Sequence, residues 1–485
     1  MTSKPGPAPA GSASRPSVAR FAAIYGSALV VGQIGQLVWL VAGSRTMSRP
    51  AFGSVLAAQA LYGVLQFVID NGSGFHGARL AAAGRLDAKA RASLVRLRLQ
   101  VALPAIVLVG GVGAVGGWEL VEAVLPFTLA LALFALLTHW ERFGLGDSGP
   151  WSAYLILRGV GPAATALVFL AAAARLPVFV PGLVECAVIG VVALAFRLRP
   201  LTNLVRALAA PRGPWRSAVD IGLPTMIGQL GLAAGTVLLG MFGRPVAAAE
   251  LAVSVRLLTG VNQLSGVLAT ALFPELARSG AAPEGDERGT RRAVGLSFQV
   301  MVALVALVNT ALLFRTSLVV GIFLKHPSLD AQRTALVTLG ASGASSYLVL
   351  VTLVLIARHG ERLFLPIFAL GTAVTVVVGL GVSVAGPRSA ALWMAGGLAV
   401  GQLLCAVLFA ARGAELLPQL RKVLWAGAAT AIGFAAAGAA AAAAVGLRTE
   451  LAVLEFALGL AALGAIGRAL RRPRAGATLD RRAPA

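Results

Sequence analysis

The chain has 485 residues, of which 58% are hydrophobic and only 12% are charged, and its mean hydropathy is +0.84. Soluble proteins carry roughly 25% charged residues, so this composition excludes a soluble globular protein and predicts an all-α polytopic membrane protein. The formal net charge of +22 does not indicate nucleic-acid binding, because the sequence has no basic segment of domain size outside the apolar stretches.

The chain begins with residues 1–19, rich in Pro, Ala, Ser and Gly, which predict a disordered cytoplasmic tail. Fourteen apolar segments follow, and each is long enough to cross a bilayer as an α-helix. The predicted spans are 20–43, 52–78, 99–117, 120–140, 151–174, 178–196, 217–240, 247–274, 293–314, 331–357, 363–385, 389–411, 423–446 and 450–469. Segment 315–330 predicts an interfacial loop, and residues 471–485 predict a basic cytoplasmic tail.

Parts of the first two spans recur in spans seven and eight. Gly32-Gln33-Ile34-Gly35 is echoed by Gly228-Gln229-Leu230-Gly231, and Arg49-Pro50 is echoed by Arg244-Pro245. Matches at nearly one offset, about 196 residues, indicate a duplicated six-helix bundle. The expected organisation is an N-lobe at 20–196, a cytoplasmic linker at 197–216, a C-lobe at 217–411 and two further spans within 412–470.

The basic residues predict the orientation of these spans. With the N-terminus inside, the inner segments hold 30 Lys and Arg residues and the outer turns hold 9. Lys and Arg are enriched on the cytoplasmic side of membrane proteins, so this asymmetry predicts a cytoplasmic-membrane protein with both termini inside. These counts include arginines at the span ends, and two basic residues, Arg158 and Arg256, lie deeper within spans.

Arg256 begins a polar stripe in span 8. It lies about nine residues from the outer end of the span, near the bilayer midplane at about 1.5 Å per residue. Thr259 and Gln263 follow it on the same face, which is typical of a cavity wall. A guanidinium there suits phosphate oxygens and indicates substrate binding. A structural, snorkelling arginine is the alternative.

Other polar residues in the spans are candidates for coupling or binding. Asp70 in span 2 and Arg158 in span 5 lie at matching depths, which predicts a pair that is either structural or an ion-coupling switch. Glu185 in span 6 is a weaker coupling candidate. Three glutamines offer hydrogen bonds to sugar hydroxyls or to neighbouring helices. They are Gln33, Gln66 and Gln229.

Chemistry-bearing motifs are absent from the sequence. No catalytic constellation, nucleotide-binding motif or metal-ligand spacing is visible, so the sequence predicts a transporter without a cofactor rather than an enzyme. The four histidines lie far apart along the chain, and Cys186 and Cys405 fit neither a disulfide framework nor a metal site.

Three features occur together: two six-helix repeats followed by two extra spans, the Arg-Pro-x-Phe-Gly turn at Arg49–Gly53, and Asp70-Asn71-Gly72. Together they resemble the polysaccharide-transport branch of the multidrug/oligosaccharidyl-lipid/polysaccharide exporter superfamily, which includes O-antigen-type flippases and is related to lipid II flippases. The resemblance implies two lobes around a central cavity, alternating access, and movement of an undecaprenyl-diphosphate-linked glycan to the outer leaflet. It also implies a membrane-lipid environment and glycosyltransferase or polymerase partners.

Two alternative functions remain open at this point. A cation-coupled multidrug exporter of the same superfamily is the nearer one, although such exporters usually have twelve spans and a carboxylate-rich lobe. A membrane-embedded polymerase or ligase acting on the same lipids is the other. Such enzymes tend to have a large outer loop, and the longest one expected here, 315–330, is short.

Overall fold

The computed structural model describes residues 18–70, 73–82, 85–116, 118–145, 147–211, 215–281, 287–324, 327–357, 363–385 and 389–443. These ranges are helical apart from short turns, and they contain no β-strand. Helices are expected in a bilayer, because each satisfies its backbone hydrogen bonds internally. The predicted fold class, an all-α polytopic membrane protein, is confirmed.

The first of two compact units comprises Met1–Met47 and Leu61–Met226. Its helices are α1 (Val18–Thr46), the C-terminal part of α2 (Arg49–Asp70), α3 (Ser73–Ala82), α4 (Ala88–Gly116), α5 (Trp118–Ala135), α6 (His139–Gly144), α7 (Gly149–Ala171), α8 (Val180–Ala195), α9 (Pro200–Ala209) and the N-terminal part of α10 (Trp215–Met241). Helix α1 packs along α7, and α5 contacts both α4 and α8.

The second unit comprises Ser48–Ala60 and Ile227–Ala485. Besides the remaining parts of α2 and α10, its described helices are α11 (Pro245–Ala281), α12 (Glu287–Phe314), α13 (Thr316–Phe323), α14 (Leu329–Gly340), α15 (Ser342–Ala357), α16 (Phe364–Ala385), α17 (Ala390–Leu416) and α18 (Arg421–Ala443). Helices α15, α17 and α18 contact one another and enclose a large apolar core that includes Tyr347, Phe409 and Phe434.

Predicted spans 1–13 all overlap described helices, whereas span 14, at 450–469, lies outside the described residues. The predicted tail 471–485 also lies outside them, and α1 begins at Val18, within the predicted tail 1–19. Predicted span 52–78 is divided, since α2 ends at Asp70 and α3 begins at Ser73. The predicted loop 315–330 contains helix α13, so that prediction was wrong in part.

Seven described helical segments are long and apolar enough to cross a bilayer. They are Ala23–Thr46, Arg49–Ile69, Gly149–Ala171, Val294–Leu312, Leu329–Thr352, Ala390–Leu416 and Arg421–Ala443. Helices α8 and α9 together are also long and apolar enough, and they would add an eighth span. They meet at an angle of 88°, so such a span would be broken. The segments Met226–Met241 and Phe364–Gly379 are shorter apolar helices.

The repeated Gly-Gln motif serves helix packing in both units. In the first unit, a Cβ atom at Gly159 on α7 would overlap the backbone of Gly32 on α1, and a Cβ atom at Gly32 would overlap the backbone of Leu155 on α7. In the second unit, a Cβ atom at Gly231 on α10 would lie 2.8 Å from Oγ1 of Thr372 on α16. Thr372 also donates a hydrogen bond to the carbonyl oxygen of Ile227, at 2.9 Å. Small residues thus allow close helix contact at matching places in the two repeats.

The domain boundaries expected at 196, 217 and 411 remain predictions. The units divide within α10, between Met226 and Ile227, and Ser48–Ala60 belongs to the second unit. That assignment has a local cause in Gly53, where a Cβ atom would overlap the backbone of Pro245. Arg49–Gly53, predicted as a turn, is the first part of α2, and its glycine permits the start of α2 to contact the start of α11.

Candidate functional site

A cluster of polar side chains is buried between α2, α7 and α8 of the first unit. Its members, called here the Glu185 cluster, are Tyr62, Gln66, Tyr154, Arg158 and Glu185. The spacing of four residues places Tyr62 beside Gln66 on one face of α2, and Tyr154 beside Arg158 on one face of α7. Glu185 faces both pairs from α8.

Glu185 is the centre of this cluster. Its Oε1 atom accepts hydrogen bonds from the hydroxyls of Tyr62, at 2.9 Å, and Tyr154, at 2.7 Å. The Nε atom of Arg158 lies 3.6 Å from the same oxygen. Because hydrogen bonds to an ionised group are stronger than neutral ones, these donors stabilise the carboxylate inside an apolar helix bundle.

Gln66 and Arg158 complete the cluster from its two sides. The amide nitrogen of Gln66 donates to the hydroxyls of Tyr62, at 2.8 Å, and Tyr154, at 2.6 Å. The Cζ atom of Arg158 lies 5.4 Å from the ring centroid of Tyr62 and 5.8 Å from that of Tyr154, within cation–π range. Each tyrosine therefore accepts from Gln66, donates to Glu185 and packs against Arg158.

The two charged side chains of this cluster, Glu185 and Arg158, are largely shielded from solvent. The Glu185 side chain is 4% exposed and that of Arg158 is 25% exposed, and a buried charge is costly unless it is paired. Ionised, Glu185 accepts hydrogen bonds from the two tyrosines and forms an ion pair with Arg158; protonated, it carries a hydroxyl that donates, and the tyrosine hydroxyls must reorient. The two forms of the carboxyl group differ in which groups donate hydrogen bonds between α2, α7 and α8.

The predicted pair of Asp70 with Arg158 stays a prediction, because the Asp70 side chain lies outside the described residues. The carboxylate that the structure places beside Arg158 belongs to Glu185. The sequence predicted Glu185 only as a weaker coupling candidate, and it did not identify Tyr154 as a site residue. The chain has four tyrosines, and a tyrosine four residues before an intramembrane arginine was the signal available.

The predicted substrate residues of α11 lie in the second unit. Arg256 is half-buried, and the Thr259 hydroxyl donates to the carbonyl oxygen of Val255 in its own helix, at 2.8 Å. The Oε1 atom of Gln263 is buried and has no hydrogen-bond partner among the described residues. An acceptor in that condition is available to a donor such as a sugar hydroxyl.

A second set of polar contacts, which the sequence did not predict, fixes the rotation of α11. The amide nitrogen of Asn262 donates to Oγ of Ser345 on α15 at 2.6 Å, and Oγ of Ser346 donates back to Asn262 at 3.2 Å. At about 100° per residue, Asn262 lies about 120° around the helix from Arg256. The stripe that carries Arg256 therefore faces away from the α15 contact.

The other predicted residues are dispersed. Gln33 on α1 and Gln229 on α10 are half-buried beside the glycines that pack their helices, and Gln66 belongs to the Glu185 cluster. Within the described ranges, no three His, Cys, Asp or Glu side chains converge as metal ligands would. His139 is buried and stacks on Trp151, with ring centroids 4.6 Å apart.

No protein-family model and no curated protein matches the chain by sequence. Solved structures match its fold. The lipid II flippase MurJ in an inward closed conformation has a TM-score of 0.59 and 10% identity, covering 93% of this chain and 98% of that one. An inward-facing MATE multidrug transporter of the MOP superfamily has a TM-score of 0.53 and 12% identity, covering 91% and 96%. A mutant of the Vibrio cholerae MATE transporter VcmN has a TM-score of 0.51 and 15% identity, covering 82% and 97%.

At these identities the likeness shows a shared fold. Together with the apolar helices, it defines a multi-pass membrane protein with the fold of MOP-type transporters. Membership of the polysaccharide-transport branch remains a prediction.

Proposed function

We propose that the protein is a flippase that moves a polyprenyl-diphosphate-linked oligosaccharide from the inner to the outer leaflet of the cytoplasmic membrane. It works by alternating access, as a transporter rather than an enzyme, and serves the synthesis of a cell-surface polysaccharide. The observation that carries the proposal is the likeness in fold to a lipid II flippase over 93% of this chain. The enzymes that build and polymerise the glycan are its expected partners.

Residues of α11 are assigned to the substrate headgroup. Arg256 offers a planar, permanently charged donor fork that matches the paired oxygens of a diphosphate. Gln263 lies seven residues further along the same face, and its unpartnered Oε1 atom suits a sugar hydroxyl. Thr259 lies between them, with Gln33 and Gln229 as further polar contacts. Gln66 is assigned to the Glu185 cluster, because its amide nitrogen is already shared by two tyrosines.

The Glu185 cluster is assigned to ion coupling. Uptake of a proton or a monovalent cation at Glu185 would change which groups donate hydrogen bonds between α2, α7 and α8. A helix arrangement that depends on the occupancy of one carboxylate can be biased by an ion gradient. Whether Asp70 contributes a second carboxylate to Arg158 is part of the same proposal.

A second candidate function, a cation-coupled multidrug exporter, is favoured by one specific observation. The Glu185 cluster places a buried carboxylate in the first unit, and the fold is also similar to MATE multidrug transporters. The two functions differ in the charge of the substrate. A flippase of diphosphate-linked glycans binds an anion, whereas a multidrug exporter of this kind would take apolar cations.

Equilibrium binding to the purified protein distinguishes them. The probes are a short-chain polyprenyl-diphosphate disaccharide and a lipophilic cationic dye. We expect saturable binding of the glycan, weakened about tenfold or more in Arg256→Gln and less in Arg256→Lys, which keeps the charge but loses the bidentate fork. Arg412→Gln is the control, because Arg412 is exposed and pairs with Glu415 on the helix surface. Equal glycan affinities for wild type and Arg256→Gln would exclude the role of Arg256. Saturable binding of the dye alone would favour the exporter.

A further inference from the structure

A basic pocket lies in the first unit where α8 ends and α9 begins. It has a volume of about 490 Å³, and five arginines and two acidic residues are among its lining residues. These are Arg91, Arg142, Arg197, Arg199, Arg206, Glu141 and Asp147. None of its lining residues belongs to the Glu185 cluster.

The acidic residues neutralise only part of this charge. Arg91 pairs with Glu141, and Arg142 pairs with Asp147 at 3.1 Å. Arg197, Arg199 and Arg206 are exposed, and none of them forms an ion pair with a residue that the structure describes. Five positive and two negative side chains leave the pocket with a net charge of +3, which favours an anionic ligand.

Two of these arginines occupy a backbone conformation that disfavours them. Arg197 has φ of 53° and Arg199 has φ of 47°, both in the left-handed region. Glycine adopts this region freely, whereas a side chain with a Cβ atom is strained there. Strained residues cluster at binding sites. At Arg197 this conformation ends α8, because the N–H groups of Arg197 and Leu198 donate to the carbonyl oxygens of Leu194 and Ala193. Arg199 places a charged side chain at the left-handed N-cap position of α9.

Helix α9 is held firmly beside the pocket. The buried amide of Asn203 donates to the carbonyl oxygens of Leu136, at 3.2 Å, and Leu198, at 2.9 Å. Arg96 donates to the carbonyl oxygen of Ala210 at the end of α9. These contacts satisfy carbonyl groups that the ends of helices leave without partners, and they fix which face of α9 is buried.

The outer face of α9 is apolar. Leu201, Val205 and Leu208 are 75%, 70% and 70% exposed, and their spacing of four and three residues forms one stripe. Thr202 and Arg206, on the same helix, line the pocket. A helix with an apolar face next to basic residues is the pattern of a segment that lies in the membrane interface.

We propose that this pocket binds the headgroup phosphate of an anionic phospholipid, while the lipid's acyl chains run along Leu201, Val205 and Leu208. The net charge selects a phosphate-bearing anion, and the adjoining apolar stripe selects a lipid over a free ion. The segment lies on the predicted cytoplasmic side, so the lipid would come from the inner leaflet. The site is independent of the substrate assigned above.

Binding of fluorescent phosphatidylglycerol and phosphatidylcholine to the purified full-length protein tests the proposal. We expect phosphatidylglycerol to bind more tightly, and each arginine removed from Arg197, Arg199 and Arg206 to weaken it about fivefold, the usual contribution of one basic residue to attraction by an anionic membrane surface. Phosphatidylcholine binding should be unchanged by these variants. Arg175→Gln is the control, because Arg175 is an exposed arginine outside the pocket.

Two further arms keep the result decisive. Arg199→Gly removes the charge and relieves the backbone strain, so it should weaken phosphatidylglycerol binding without lowering the thermal stability. Replacing Leu201, Val205 and Leu208 with Ser should weaken the binding of both lipids. Equal affinities for the two lipids, or wild-type affinity in the triple arginine variant, would overturn the proposal. Competition by millimolar inorganic phosphate with no effect of the Ser replacements would assign the pocket to a free anion instead, and would also overturn it.

Discussion

The hydroxyl of Tyr154 on α7 donates a 2.7 Å hydrogen bond to Oε1 of Glu185 on α8, a residue that is 3% exposed. Tyr62 on α2 donates to the same oxygen, so one carboxylate oxygen joins three helices of the first unit. A change in the charge of Glu185 would therefore be felt at all three helices at once. This arrangement is the basis of the first two predictions.

Arg158 and Glu185 should be energetically coupled. Removing either partner of a buried pair leaves the other charge uncompensated, at a typical cost of about 3–5 kcal/mol, and the partial exposure of Arg158 places the expected loss near the lower end. Arg158→Gln and Glu185→Gln should each lower the thermal stability of the purified protein. The double variant should lose less stability than the sum of the two single losses, which corresponds to a coupling free energy of about 1–3 kcal/mol.

The matched control for this cycle is Arg412 with Glu415. These side chains are 62% and 66% exposed, and their ion pair is screened by solvent, so their two single losses should be small and additive. Additive losses at Arg158 and Glu185 as well would mean that the two charges do not interact in the membrane. The same cycle run with Asp70→Asn tests whether Asp70 shares Arg158.

Tyr154→Phe should impair coupled transport more than it impairs folding. The substitution removes a hydrogen bond to a carboxylate, typically about 1.5–3 kcal/mol, and leaves the ring in place. The dependence of transport on the imposed proton or cation gradient should therefore shift. Tyr347→Phe is the control, because Tyr347 is equally buried but donates to the carbonyl oxygen of Leu424 in the second unit. Identical transport defects in both variants would refute a coupling role for Tyr154.

Gly159→Ala should disrupt the contact between α1 and α7. The added Cβ atom would overlap the backbone of Gly32, and overpacking of a close contact costs about 1–3 kcal/mol or more. We expect reduced yield and earlier thermal aggregation. Gly190→Ala on α8 is the control, since a Cβ atom there has no heavy atom within 4 Å. If both variants behave like wild type, the close approach of the two helices is not maintained in the membrane.

Single cysteines at exposed positions should label from opposite sides of the membrane. Ala88 and Ala174 are exposed, and the asymmetry of Lys and Arg places Ala88 inside and Ala174 outside. In a background with Cys186 and Cys405 replaced by Ala, a membrane-impermeant thiol reagent applied to cells should label Ala174→Cys. Ala88→Cys should react only after the cells are opened. Labelling of both from outside would contradict the N-inside topology.

The helices could be predicted from the sequence more securely than their ends. Apolar runs of membrane length fix where a helix must be, because unpaired backbone groups are too costly in lipid. Helix α4 begins eleven residues before the predicted span 99–117, because its basic first turns fall in the connection between predicted spans. One of those residues, Arg98, is fully buried and donates to the carbonyl oxygens of Leu137, at 3.0 Å, and Phe134, at 3.2 Å. Only the packed structure reveals that use of an arginine.

The candidate site was predicted residue by residue but not as a cluster. Gln66 and Arg158 were identified as polar groups inside spans, and depth alone suggested Asp70 as the partner of Arg158. Depth along a helix is readable from the sequence, whereas the direction in which a side chain points depends on which helices pack together. The two tyrosine partners of Glu185 lie 31 and 123 residues away along the chain, so their meeting is a property of the fold.

The central claim is that the protein moves a diphosphate-linked glycan lipid between leaflets. The most direct measurement uses vesicles that contain the purified protein and a fluorescent short-chain polyprenyl-diphosphate glycan, with a membrane-impermeant reductant added outside. Under an imposed ion gradient, wild type and Arg175→Gln should expose more of the label to the reductant than protein-free vesicles do. Vesicles with the Arg256→Gln variant should expose no more label than protein-free vesicles do. No increase with wild type, while the same vesicles transport a cationic dye, would contradict the account and identify a drug exporter.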